Sequence, residues 1–225
     1  MQLAQRFAVN KQNLYMRLTI ILLLLPFFLL ANDKQAFKAS RVEASPKIDG
    51  DLSDPVWNQQ ASKMSFTQFA PNNGAPSAFQ TQVQVIYTDQ AIYVAARLYD
   101  PEPHLIQKEF GQRDDFNRNT DWFGFMIDPY QSGINAFSFF VSAAGVQGDY
   151  FLTVGDFDQS WDAVWNSAIK IDENGWTVEM MIPYFAIRFP NQKEQNWGVN
   201  FYRNVKRKQE ESYWNHVDNG IDGIV

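Results

Sequence analysis

Cysteine is absent from this sequence of 225 residues, and histidine occurs only twice. Without cysteine the chain has no disulfide, no catalytic thiolate and no zinc or iron–sulfur site built on cysteine ligands. The two histidines, His104 and His216, stand far apart in the sequence, which argues against a histidine zinc site or a Ser-His-Asp arrangement. Carboxylates are plentiful, but no pair is placed as a glycosidase needs, and Glu179 alternates with core residues on a predicted strand. We therefore expect a protein that binds without catalysing a reaction.

Negative charge is missing from the N-terminal segment. Residues 1–31 hold Arg6, Lys11 and Arg17 and no acidic residue. An almost unbroken apolar run, 18–30, follows, and it is shorter than the roughly 20 residues that span a membrane. Its length matches the apolar core of a secretory signal peptide, about 7–15 residues. We expect residues 1–31 to be a signal peptide, with a single membrane anchor as the alternative, and residues 32–40 to be a linker.

Acidic residues dominate the remainder of the chain. After residue 31 there are 16 basic and 25 acidic residues, which gives a net charge of −9. Such a chain is a poor partner for nucleic acid or for an anionic membrane surface. An exported chain without cysteine is typical of a bacterial envelope.

Aromatic residues make up 16% of the chain, with 7 Trp, 9 Tyr and 19 Phe. Seven tryptophans are more than one core usually needs, so some are expected at a surface that meets a ligand. Trp161 and Trp165 flank a polar loop, and Tyr150 precedes it. For both tryptophans core packing is the alternative, and Trp165 is expected to be the more buried of the two.

Alternation of apolar and polar residues predicts an all-β protein, an antiparallel β-sandwich of jelly-roll type. Asp89-Gln90 and Asn174-Gly175 are expected turns between paired strands. Two short helices are expected, at 53–57, where a capping serine precedes a proline, and at 183–187. The predicted strands are 82–87, 92–99, 122–127, 134–141, 148–154, 163–171, 176–182 and 197–205.

Five segments together resemble the family 9 carbohydrate-binding module over about residues 41–215. The resemblance implies the sandwich fold and a site in which two tryptophans grip a sugar ring while charged side chains hold its hydroxyls. The matching segments, in order, are Lys47-Ile-Asp-Gly-Asp-Leu-Ser-Asp-Pro-Val-Trp57, Val83-Gln-Val-Ile-Tyr-Thr-Asp89, Asp121-Trp-Phe-Gly-Phe-Met-Ile-Asp128, Gly175-Trp-Thr-Val-Glu-Met-Met-Ile-Pro183 and Trp197-Gly-Val-Asn-Phe201.

The ligand positions of that family are only partly kept. Arg118 stands where the first stacking Trp is expected, and Gly124 stands at a hydroxyl-binding Glu. A hydroxyl-binding Arg falls near Phe139 or Phe140, and Trp214 is the nearest match to the second stacking Trp. The predicted carbohydrate-binding residues are Arg118, Asp121, Tyr150, Trp161 and Trp214.

Cofactor candidates are weak. Asp156, Asp158 and Asp162 alternate as calcium ligands do, and the resembled module often holds structural calcium. However, Trp161 and Ser167 replace the glycine and glutamate of an EF-hand loop, so only a looser site is possible. Related sandwiches hold haem through Met, which would involve residues among Met126, Met180 and Met181.

The functional expectation is a non-catalytic carbohydrate-binding domain of an exported envelope protein, linked to the use of polysaccharides such as xylan by glycoside hydrolases. The stretch from Asn200 to Trp214 also resembles large Gram-negative envelope proteins in which this module precedes an outer-membrane β-barrel. The alternative is therefore a structural domain that docks onto such a barrel without binding sugar. Residues 216–225 are expected to be the ragged C-terminal end of a truncated member of this group. Basic residues near that end are expected on the solvent-exposed face of an edge strand: Arg203, Lys206, Arg207 and Lys208.

Overall fold

The computed structural model describes residues 34–58, 62–153 and 155–218, and within them thirteen strands form two sheets. The strands are β1 (Ser40–Arg41), β2 (Ser62–Met64), β3 (Thr67–Ala70), β4 (Thr81–Tyr87), β5 (Ala91–Tyr99), β6 (Trp122–Asp128), β7 (Ala136–Ser142), β8 (Gln147–Thr153), β9 (Asp156–Asp158), β10 (Asn166–Asp172), β11 (Gly175–Pro183), β12 (Gly198–Val205) and β13 (Glu210–Tyr213).

The two sheets have different widths. One runs β1-β4-β5-β11-β10, with β2 also paired to β4, and the other runs β3-β13-β12-β6-β7-β8-β9. All pairs are antiparallel except β1 with β4. The predicted all-β sandwich is confirmed.

The main core lies between the sheets. Phe123 and Phe125 on β6 and Phe201 on β12 are completely buried, and the rings of Phe125 and Phe201 stack 5.5 Å apart. Val94 and Val178 face them from the opposite sheet. Burying each such side chain stabilises the fold by about 1.5–3 kcal/mol. The faces that carry these side chains therefore pack against the opposite sheet.

Both predicted turns occur. Between β4 and β5, the Thr88 hydroxyl accepts the backbone N–H groups of Gln90 and Ala91, 3.2 and 3.3 Å away. Between β10 and β11, Gly175 has φ = +133°, and a Cβ there would overlap the carbonyl oxygen of Leu98. The second turn therefore requires glycine.

The predicted short helices are 3-10 turns, at Pro55–Asn58 and Tyr184–Ala186. Two further 3-10 turns lie at Pro103–Leu105 and Lys206–Lys208. Within the described parts of the chain, no helix is long and apolar enough to cross a membrane.

The expected linker is packed against the sandwich where it is described. Gln35 donates from Nε2 to the Trp214 carbonyl at 2.7 Å, and the Phe37 ring lies 5.5 Å from that of Trp214. At the other end, Val217 is 5% exposed and accepts a 2.9 Å hydrogen bond from Asn73, so the expected ragged end begins inside the fold. The predicted signal peptide, 1–31, and residues 219–225 lie outside the described residues.

The prediction for Arg203 is wrong. β12 lies between β13 and β6 rather than at an edge, and Arg203 is 1% exposed. Its guanidinium donates to the carbonyl oxygens of Gln80 (2.8 Å) and Tyr99 (2.7 Å) and to the Thr81 hydroxyl (3.0 Å). These hydrogen bonds offset the cost of burying the charge, and they join the two sheets.

Candidate functional site

The outer face of the seven-stranded sheet carries a row of aromatic residues and glycines. Tyr213, Tyr202, Gly124, Phe140 and Gly148 are successive cross-strand partners on β13, β12, β6, β7 and β8. A Cβ on Gly124 would overlap the Phe140 ring. The missing side chain at Gly124 therefore lets Phe140 lie across β6 and approach Tyr202, with ring centroids 5.7 Å apart.

The aromatic surface continues beyond that row toward the edge of the sheet. Tyr150 on β8 stacks on Phe140 with centroids 5.2 Å apart, and Phe157 on β9 meets Tyr150 edge-on at 5.2 Å. Phe116, from the loop before β6, packs against Trp122 at 5.0 Å and covers Gly148. Ring contacts thus connect five strands of one sheet face.

A second row lies beside the first and is more polar. Glu211 on β13, Asn204 on β12 and Trp122 on β6 are successive cross-strand partners. Trp122 is 5% exposed, and its Nε1 has no hydrogen-bond partner among the described residues. An unsatisfied buried donor costs about 1–3 kcal/mol, which is unusual in a surface that serves only for packing.

These two rows enclose a groove of about 560 Å³, which we call the aromatic groove. Trp122 and Phe140 are buried in its floor, the three tyrosines are half-buried, and Phe157 is 57% exposed at its rim. Its volume lies within the range of small-molecule sites. The residues that line it are Phe116, Trp122, Phe140, Tyr150, Asp156, Phe157, Gln159, Tyr202, Asn204, Lys206, Glu211 and Tyr213.

The tyrosines of the groove remain neutral. Burial raises the pKa of Tyr150, Tyr202 and Tyr213 above its ordinary value, and the negative charge of Glu211 raises it further. Each hydroxyl therefore keeps its proton at neutral pH, so it can both donate and accept a hydrogen bond. The groove combines flat apolar faces with neutral and charged polar groups.

Of the five predicted site residues, only Tyr150 lines the groove. Trp161 packs inward, with its ring centroid 5.3 Å from that of Phe137. Trp214 is 3% exposed and packs on Phe201 in the main core. Trp214 therefore belongs to the interior, whereas Trp161 is half-buried against the core and does not line the groove.

Arg118 and Asp121 lie elsewhere. Arg118 is on the surface of the loop before β6, where its Nε donates to Asp115 at 2.6 Å. Asp121 is 1% exposed and accepts the backbone N–H of Lys206 at 2.9 Å. Burial raises the pKa of Asp121 to about 6, against the opposing effects of that hydrogen bond and of Arg203. Both residues have structural partners, and neither lines the groove.

Arg113, in the same loop as Arg118, also has a structural role. The Asp149 carboxylate is fully buried and accepts hydrogen bonds from Trp165 Nε1 (2.8 Å), Arg113 (2.6 Å) and the Ala163 N–H (3.2 Å). Trp165 is 4% exposed, as expected for the more buried tryptophan of its pair. This cluster joins β8 to the loops that carry Arg113 and Ala163.

Two of the acidic residues considered for calcium have other partners in the structure. No group of three or more carboxylate or imidazole side chains that could hold a metal ion exists among residues 34–58, 62–153 and 155–218. Asp162 lies 3.1 Å from the Arg113 guanidinium, and Asp158 accepts hydrogen bonds from Ser160. Of the methionines considered for haem, which would pair with His or Lys, Met126 and Met180 are completely buried in separate clusters.

Sequence reasoning overlooked most of the groove. Trp122, Tyr202 and Tyr213 alternate with core residues along their strands, which is the available signal that they face the other side of the sheet. Phe116 and Phe157 lie in segments whose position no periodicity reveals. Gly124 is informative only once its cross-strand partners are known.

Comparison with known proteins is consistent with this architecture. No curated protein matches the sequence. Two structures of a family 9 carbohydrate-binding module from Caldicellulosiruptor kristjanssonii are similar, one in complex with cellotriose (TM-score 0.51, 16% identity, 81% of this chain and 85% of that chain) and one with glucose (0.52, 18%, 81% and 87%). A proposed carbohydrate-binding protein from Bacteroides uniformis is also similar (0.57, 12%, 85% and 94%). At these identities the structures show the fold alone.

The sequence itself matches the family whose description is "Carbohydrate family 9 binding domain-like", over residues 48–220. This match covers most of the chain and includes all strands from β2 to β13. The chain therefore belongs to the carbohydrate family 9 binding domain-like family.

Proposed function

We propose that the aromatic groove binds a saccharide and that the domain acts without catalysis. A sugar ring has an apolar C–H face and a rim of hydroxyls, so its receptor needs aromatic faces beside hydrogen-bonding groups. The continuous ring surface from Tyr213 to Phe157, bordered by Gln159, Asn204 and Glu211, supplies both. This surface is the observation that carries the proposal.

The position of the groove supports the same function. Gly124 stands at the family's hydroxyl-binding Glu, and its direct cross-strand partner Phe140 is one of the two positions, with Phe139, near which the hydroxyl-binding Arg falls. At these positions of the resembled site, this surface has an aromatic ring over a glycine. Because the structures from Caldicellulosiruptor kristjanssonii hold cellotriose and glucose, glucan-derived oligosaccharides are the first ligands to test, with xylan-derived ones beside them.

A matched pair of phenylalanines tests the proposal. Phe157 is 57% exposed at the rim of the groove, and Phe185 is 77% exposed in the 3-10 turn after β11, outside it. Both can be replaced by alanine with little effect on folding. We expect Phe157→Ala to weaken binding of a glucan or xylan oligosaccharide about 3- to 10-fold in calorimetric titration, the amount that an aromatic contact contributes. Phe185→Ala should leave the affinity unchanged.

A second candidate is docking onto an outer-membrane barrel without sugar binding. The observation that favours it is the loss of the family's ligand set, with Gly124 and Arg118 at two of its positions. The same titration separates the candidates. Absence of binding at millimolar oligosaccharide would exclude the saccharide function and leave docking.

The proposed cellular setting is the envelope of a Gram-negative bacterium, where the domain would assist polysaccharide use by glycoside hydrolases acting elsewhere. The basic and then apolar pattern of residues 1–31 supports export. Expression of the full chain in a Gram-negative host, with fractionation and N-terminal sequencing, tests this. We expect the recovered protein outside the cytoplasm to begin after Ala31.

A further inference from the structure

One end of the aromatic groove holds a carboxylate that lacks an ion-pair partner. Glu211 is half-buried on β13, and within the described parts of the chain no Lys, Arg or His nitrogen lies within ion-pair distance of it. Its charge acts on the hydroxyls of Tyr150, Tyr202 and Tyr213 together. Glu211 therefore lies close to the half-buried aromatic surface rather than pointing away from it.

Other buried or half-buried carboxylates among the described residues accept hydrogen bonds. Asp100 is held by Arg207 at 2.5 and 2.7 Å, whereas Glu179 and Glu210 have neutral donors. Glu211 has neither an ion pair nor a hydrogen bond among the described residues, and a carboxylate that loses part of its hydration without such a partner is unfavourable. Its position in the groove therefore points to a ligand that supplies the missing charge.

The opposite rim of the groove adds a second carboxylate. Asp156 is exposed beside Phe157, and its side chain accepts the Phe157 N–H at 2.9 Å without an arginine or lysine partner in the described structure. Lys206 is the single cationic residue among those that line the groove. With two carboxylates and one ammonium group, the groove has a net negative charge.

Aromatic faces and carboxylates attract the same kind of ligand. The π face of Trp, Tyr or Phe carries negative charge density and attracts a cation by about 0.5–2 kcal/mol, and an unpaired carboxylate adds a charge-assisted hydrogen bond. An anionic sugar would be repelled by both. We propose that the saccharide of the aromatic groove carries a free, protonated amine, as in oligosaccharides of glucosamine. This inference rests on the proposed saccharide function and specifies its ligand class.

Three trisaccharides of the same linkage and ring configuration test the inference: the β-1,4-linked glucosamine trimer, its N-acetylated form and cellotriose. They differ only in the substituent at C2, which is an ammonium, a neutral amide or a hydroxyl. The titrations are run at pH 6, where the amine carries its proton. We expect the glucosamine trimer to bind at least tenfold more tightly than the other two, with an advantage that falls as salt is added.

Two charge variants give opposite expectations. Glu211→Gln keeps the size of the side chain and should lower the affinity for the glucosamine trimer about tenfold, which is more than it lowers the affinity for cellotriose. Lys206→Gln removes the repelling charge and should raise the affinity for the same trimer. Because both side chains are partly exposed and make no buried pair, urea unfolding of both variants should match that of the unaltered protein.

The outcomes distinguish the two proposals. If cellotriose binds as tightly as the glucosamine trimer, or if Glu211→Gln leaves the glucosamine affinity unchanged, the amino-sugar inference is overturned and the saccharide function stands. If none of the trimers binds at millimolar concentration, the saccharide function fails and this inference fails with it. Selective binding of the glucosamine trimer that depends on Glu211 supports both.

Discussion

The indole Nε1 of Trp57 donates a 2.8 Å hydrogen bond to Oε1 of Glu179, which lies 122 residues later in the sequence. The other oxygen of Glu179 accepts the backbone N–H groups of Asp49 (3.0 Å) and Gly50 (2.7 Å). One fully buried carboxylate on β11 thus holds both ends of the N-terminal segment that matches the family. This explains physically why an Ile-Asp-Gly sequence and a later Trp occur together in this fold.

Replacing Glu179 with Gln should destabilise the fold by about 1–3 kcal/mol, because the new amide group would place a donor against the backbone donors of Asp49 or Gly50 or against Trp57. Trp57→Phe removes one donor and should cost a similar amount or less. Urea unfolding at pH 7 measures both. The two effects should be less than additive in the double variant, since they share one hydrogen bond; full additivity would contradict the coupling.

Arg203→Met should destabilise the protein by about 3–5 kcal/mol. The guanidinium is 1% exposed and is the shared donor for carbonyl groups of two chain segments, so its removal leaves buried acceptors unsatisfied. Arg97→Gln is the matched control, because Arg97 and its partner Asp172 are both 23% exposed and such a pair contributes about 1 kcal/mol or less. Equal losses for the two variants in urea would show that Arg203 is not a structural link.

Asp121 should make the stability depend on pH. Its pKa is about 6 in the folded protein because of burial, and its ordinary value is 3.8. A raised carboxyl pKa gives stability that is fully present below pH 3.8 and is lost as the pH rises through 6. The loss is about 1.4 kcal/mol per pH unit between the two values.

Comparison with Asp121→Asn isolates that effect. The amide oxygen can still accept the Lys206 N–H, but the variant cannot ionise. Relative to the variant, the unaltered protein should lose about 2–3 kcal/mol between pH 4 and pH 7 in urea unfolding. A difference that does not change with pH would mean that Asp121 ionises normally in the fold.

Sequence reasoning predicted the eight longer strands because they are alternating or continuous apolar runs separated by turn residues. It missed β13, because the inward positions of that strand are polar. Glu210 is 2% exposed and accepts hydrogen bonds from the Ser77 hydroxyl and the Ala78 N–H, and Ser212 donates to it at 3.0 Å. In a sequence, polar residues with buried hydrogen-bond partners cannot be distinguished from polar residues that face solvent. The prediction that Arg203 lies on an exposed face was wrong for the same reason.

The aromatic groove was not predicted as such from the sequence, since of the five predicted site residues only Tyr150 lines it. Trp214 was chosen from the family pattern, whereas its neighbour Tyr213 is the residue that faces the groove. Successive residues of a strand point to opposite faces of the sheet. Choosing a residue one position away therefore exchanges a side chain on the groove face for one in the core. Correct placement requires the register of β13 on β12, which depends on contacts distant in sequence.

Gly124→Ala should weaken both the groove and the fold. The added methyl group would overlap the Phe140 ring, and that ring is held between Tyr150 and Tyr202, so it cannot move without opening the aromatic surface. Overpacking of this kind costs about 1–3 kcal/mol. We expect that loss in urea unfolding and a weaker affinity for whichever oligosaccharide the unaltered protein binds.

Gly111→Ala provides the control for that substitution. A Cβ at Gly111 would lie 2.8 Å from Cγ of Arg118, so this surface side chain must shift. However, its exposed ion pairs with Asp115 and Glu109 contribute little to stability. Gly111 does not line the aromatic groove. Its stability and affinity should therefore stay near those of the unaltered protein. If Gly124→Ala behaved like Gly111→Ala in both measurements, the ring over Gly124 would be free to move. The continuous aromatic surface, on which saccharide binding depends, would then not be a fixed feature of this domain.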